Sequence, residues 1–181
     1  MRVTSRHLST LLPALLVIGL APLVTAQGPA GTYLQAAFAD WEDYDNGYSV
    51  SGSYLANEQV RFFAEYIDTD LEHLRAGGGY IFPLENNLSL ELGGSYNEVE
   101  TGFFDEEGFG VHGIARLETE QGLTLSGRLE ELFFDELNNE TVVGFGADYG
   151  LTSTTSVFAE YDLYLDEFNQ NLFTVGARLH F

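Results

Sequence analysis

Apolar side chains fall on every second residue through most of this chain, in ten successive runs: residues 32–40, 48–56, 60–67, 73–82, 88–97, 108–117, 123–132, 142–151, 156–165 and 171–181. A strand sends successive side chains to opposite faces, so each run has one apolar face and one mixed face. The runs are close to the about 9–11 residues that a tilted strand needs to cross a hydrocarbon layer. The pattern predicts an all-β protein, a transmembrane antiparallel up-and-down β-barrel of ten strands, with eight as the alternative. No second domain, repeat or linker interrupts it.

Residues that did not set the phase test it. With the apolar face defined by aliphatic and aromatic positions alone, Arg61, Arg75, Arg116, Arg128 and Arg178 all fall on the other face, as do His73, His112 and His180. Were each a coin toss between two faces, that outcome would arise roughly four times in a thousand. An Arg facing lipid at the bilayer midplane costs about 2–4 kcal/mol, so a lumen-facing assignment is what that penalty selects. Glu65, Glu91, Glu130, Asp148, Glu160 and Asp162 share the same face, which makes a lumenal charge network the candidate site. The lumenal glycines, Gly79, Gly93 and Gly144 among them, either leave open space or make room for long Arg side chains from neighbouring strands. Tyr48, Tyr54, Tyr66, Tyr80, Tyr96, Tyr149 and Tyr161 take the lipid-facing phase, mostly near run ends, as an aromatic girdle would.

The connections alternate too. Those after the even-numbered runs are short and made of turn formers, such as Asn57-Glu58-Gln59, Pro83 with Glu85-Asn86-Asn87, and Glu120-Gln121-Gly122. Those after the odd-numbered runs contain the acidic stretches 40–45, 68–72 and 105–107. Short turns on the side of the termini and longer loops opposite are expected of an even-stranded barrel.

The two ends of the chain add an address. Arg2 and Arg6 precede an apolar run and a small-residue site at Val24-Thr25-Ala26, the layout of a secretory signal peptide over residues 1–26. Residues 27–181 then form the single barrel domain. In the last run Phe173, Val175, Ala177, Leu179 and Phe181 share a face, and the chain ends on Phe. This closing pattern resembles the final strand and assembly signal of the small Gram-negative outer-membrane β-barrel proteins, the OmpA/OmpX-like group within the porin-like proteins. The resemblance implies export through the periplasm, delivery by periplasmic chaperones, insertion by the outer-membrane assembly machinery, and contact with outer-membrane lipid and lipopolysaccharide. Ten strands depart from that group's usual eight.

Charge narrows the function. There is no Lys, and beyond Ala26 the five arginines stand against 28 Asp and Glu. Nucleic-acid binding, which rests on basic charge against phosphate, is excluded. Acidic loops could attract divalent cations as oxygen ligands; no cofactor or fixed metal site is expected. Cysteine is absent, so stability must come from a closed backbone ladder rather than disulfides. His73, beside Glu72, is the one candidate for catalysis, and the expectation is a non-enzyme. Two readings remain: a plugged barrel with acidic surface loops and a structural or cell-surface role, or a narrow passive channel for small cationic solutes.

Overall fold

A computed structural model of the chain describes residues 31–42, 45–102, 105–135, 138–166 and 168–181. The signal-peptide expectation, residues 1–26, lies outside them. Ten strands follow in order: β1 Tyr33–Trp41, β2 Gly47–Leu55, β3 Val60–Asp68, β4 Glu72–Pro83, β5 Leu88–Glu100, β6 Asp105–Glu118, β7 Leu123–Phe134, β8 Glu140–Gly150, β9 Thr155–Tyr164 and β10 Asn171–His180. Each pairs antiparallel with its chain neighbours, and β1 closes on β10 in the register Tyr33 to His180 through Trp41 to Leu172. The result is the ten-stranded up-and-down barrel that the alternation predicts. Closure leaves no strand edge with idle backbone donors, which a lipid environment demands.

The four connections on the terminus side span four residues each (56–59, 84–87, 119–122 and 151–154), and those at the distal end span three to six. Asn86 and Asn87 have φ of 60° and 59°, the left-handed pair that matches a turn to the twist of a hairpin. Gly122, at φ 75°, does a similar job between β6 and β7.

One expectation is revised. Much of the acidic sequence read as distal loop is strand: β3 runs to Asp68, β4 starts at Glu72, β5 reaches Glu100 and β6 begins at Asp105. The two-residue alternation continues there, with Val99 and Glu106 buried and the residues on either side outward. The outward positions have passed from apolar to acidic, so an apolar criterion stops counting too early.

The faces follow the sequence phase. Phe62, Leu92, Val111, Leu129, Phe145 and Val175 are exposed on the outside, and the tyrosines of the girdle lie among such residues, Tyr66 being half-buried. Inside there are two storeys. The charged side chains occupy the middle and the terminus side. The distal third holds a contiguous apolar cluster of Ala39, Trp41, Ile67, Leu71, Val99, Leu132, Phe134, Val142, Tyr164 and Leu172, with the buried Glu106 and Glu140 at the same level.

Candidate functional site: the barrel lumen

Glu91 is the hub of the charged storey. It is fully buried and takes Arg61 side-on, with Nε 2.9 and 3.1 Å from its two oxygens and Nη2 2.7 Å from Oε1. Arg116 donates to its other oxygen at 2.9 Å, and His112 Nε2 lies 3.3 Å from Oε1. Arg61 and Glu91 stand on β3 and β5, on either side of β4. The gap is bridged because Arg61 pairs across the ladder with Gly79, which has no side chain to intervene. A Cβ at Gly79 would lie 2.6 Å from Glu91 Oε1.

The same arrangement recurs on the opposite wall. Arg128, Gly144 and Asp162 sit side by side on β7, β8 and β9, and Arg128 Nη2 reaches over the glycine to Asp162 at 2.9 Å. A Cβ at Gly144 would collide with the Asp162 carboxylate. Arg75 binds Glu130 at 2.8 Å and lies 3.9 Å from Glu65, while Ser95 donates to Glu130 at 3.0 Å. Arg178 holds Asp148 at 2.8 Å, Gln35 at 2.7 Å through Nε, and Glu160. Rings fill what remains: Phe63 lies 4.9 Å from both Arg61 and Arg75, and Phe158 4.2 Å from Arg178, within cation–π range. Every residue of the lumenal set thus faces inward, and each of the five arginines has a carboxylate oxygen within 2.9 Å.

The open space between these groups is small. A cavity of about 100 Å³ lies among Arg61, Glu65, Arg75, Arg128, Glu160 and Arg178, and another of about 20 Å³ lies above it against Ile67, His73 and Tyr164. Such polar hollows suit a few ordered waters.

His73 lies below the apolar cluster, with Nε2 3.2 Å from Asn97 Oδ1, not against Glu72, whose carboxylate instead accepts from Tyr66 at 2.7 Å. His180 meets Ser156 at 2.8 Å, and Ser156 Oγ donates to Asp148 at 3.0 Å. A serine nucleophile needs the order Ser–His–carboxylate. Here the carboxylate sits on the serine, and His180 Nδ1 has no hydrogen-bond partner among the described residues. Also among the described residues, no group of three or more His, Asp or Glu side chains is arranged to hold a metal ion. Phe173, Val175, Ala177 and Leu179 face outward on β10, next to the β1 seam, and Phe181 N–H donates to Thr32 O at 3.0 Å.

Sequence reasoning missed the apolar storey and the buried Glu106 and Glu140. The signal was present: Trp41, Ile67, Leu132 and Leu172 are in the lumenal phase of their strands. Apolar residues had been used to define the opposite face, so inward ones left no trace.

The closed antiparallel barrel with an apolar exterior and an ion-paired interior has the fold of porin-like outer-membrane β-barrels. No family model and no curated protein sequence matches the chain. Solved structures do. The KdgM porin aligns with a TM-score of 0.56 at 11% identity over 82% of this chain and 99% of its own, and has also been solved with a disordered oligogalacturonate. The NanC porin gives 0.53 at 9% identity over 83% and 100%. The COG4313 outer membrane channel from Pseudomonas putida F1 gives 0.53 at 8% identity over 90% and 100%. Likeness at these identities is likeness of fold.

Proposed function

We propose that this protein is a non-enzymatic barrel of the bacterial outer membrane, exported through the periplasm, whose lumen is filled by its own side chains and whose role is structural, at the cell surface. The observation that carries this reading is the pairing of each of the five described arginines with a carboxylate of the same chain. Barrels of about eight strands are filled by side chains and those of sixteen or more hold water channels, and ten lies near the filled end. A polyanion such as the oligogalacturonate of the KdgM porin would need guanidinium groups free to meet it; here they are already engaged. Planar-bilayer recording of the refolded protein tests the proposal. Silence from protein whose heat-modifiable gel mobility proves insertion is the expected result, and reproducible conductance steps would sink it.

The second reading, a narrow channel for small cationic solutes, rests on the cavity of about 100 Å³ in the charged storey and on the acidic distal rim. Conductance that favours K⁺ over Cl⁻ would support it. The expected surroundings are lipopolysaccharide and outer-membrane lipid, reached through periplasmic chaperones and the assembly machinery. With no Lys and its barrel arginines inside, the outer surface offers no basic side chain to lipid phosphates among the described residues, so divalent cations at the acidic rim would have to mediate that contact.

A further inference from the structure

The lumen is filled at two levels, by two kinds of chemistry. Below, ions are paired. Above, the apolar cluster joins seven strands and Leu71 across the distal mouth, with Trp41 at its centre, 5.0 Å from the Tyr164 ring and 6.5 Å from that of His73. An apolar constriction excludes ions by dewetting, independently of any charged barrier in series with it.

The β9–β10 connection secures this closure from one side. Glu140 is fully buried, and its carboxylate oxygens accept the backbone N–H groups of Asp166 at 2.9 Å and Phe168 at 2.8 Å. Asp166 returns the contact by accepting from Thr141 N–H at 3.0 Å. Held there, Phe168 sets its ring edge-on against Phe134 and Tyr164, both at 6.0 Å, and packs against the cluster. A buried carboxylate spent on two loop amides is a costly arrangement unless the loop position matters.

We infer that Asp166 and Phe168 act as a lid, that Glu140 is its latch, and that release of the latch uncovers the apolar stopper to the outside while the arginine network stays intact. The inference uses the outer-membrane reading only to say which side is outside.

Trp41 is the sole Trp of the chain, so its fluorescence reports on the stopper directly. The test is quenching by acrylamide, a neutral molecule that the acidic rim does not repel, on refolded full-length barrel in liposomes. Wild-type Trp41 should be strongly protected. Glu140→Gln and Phe168→Ala should each raise the quenching constant several-fold, and Arg116→Met, in the lower storey, should leave it unchanged. Heat-modifiable mobility verifies that each variant is folded, and Phe168→Ala leaves every latch bond in place should Glu140→Gln fail to fold. Protection in both lid variants equal to wild type would overturn the inference, as would a wild-type Trp41 already open to quencher. The filled-lumen proposal fails separately, on wild-type conductance, whatever Trp41 shows.

Discussion

Glu91 concentrates more of the interior on one side chain than any other carboxylate here, since Arg61, Arg116 and His112 all converge on it. Removing one member of a buried ion pair strands its partners without water, at a cost of about 3–5 kcal/mol. Glu91→Ala should therefore lower the unfolding free energy of the barrel, measured by urea titration in lipid vesicles, by an amount in that range. Gly79→Ala should act through the same carboxylate, because its methyl group would stand 2.8 Å from Glu91 Cγ. A double-mutant cycle checks this: the cost of Gly79→Ala should largely vanish in the Glu91→Ala background, and additive costs would refute the link. The inward placement of all these residues was legible in the sequence, because two-residue periodicity assigns a face to every position. Their pairing was not. Which arginine meets which acid depends on ladder register and on glycines of intervening strands, and neither is written in the alternation of a single run.

At the scale of the strand, the outward face changes character along its length. Leu129, near the middle of β7, is exposed among apolar neighbours, and Leu129→Arg should cost about 2–4 kcal/mol if that band lies in hydrocarbon. Toward the distal end of β5 and β6 the same face carries Glu98 opposite Glu107 and Glu100 opposite Asp105. Like charges directly opposed repel, so Glu107→Gln should stabilise the barrel by roughly 0.2–1 kcal/mol, and high salt should shrink the gain. The absence of Cys permits a clean map of the boundary. Glu100→Cys should react with a membrane-impermeant maleimide and Leu92→Cys should not; equal labelling of both would contradict the lipid-facing assignment. Strand number and centres were readable from sequence because hydrocarbon enforces apolar outward positions. The distal boundaries were not, because strands that continue into water need only keep their hydrogen bonds.

For the molecule as a whole, the proposal of two barriers in series makes a definite prediction about conduction. Arg116→Ala weakens the ionic storey but leaves the apolar one, so it should remain silent in planar bilayers. Arg116→Ala combined with Trp41→Ala and Phe168→Ala should open reproducible steps. Conductance in the Arg116→Ala variant alone would mean that the apolar storey is no barrier. The barrel architecture could be anticipated from alternation and the two chain ends. Its division into a charged and an apolar storey could not, since that depends on which inward residues from seven strands reach one level.

The contact between Arg178 and Gln35 joins residues 143 apart in the chain, inside the barrel and across the β1–β10 seam. Arg178 also lies 5.0 Å from the Tyr33 ring, and His180 stacks edge-on against the same ring at 6.0 Å. None of these contacts can exist while the sheet is an open ribbon. The last strand therefore brings its own fastener, one that engages only when the first strand arrives, and the long loop it closes puts that event late in folding. Until then the Arg178 guanidinium lacks its Gln35 and Tyr33 contacts. Cutting the fastener with Gln35→Ala should leave the finished structure recognisable while slowing the step at which ribbon becomes cylinder.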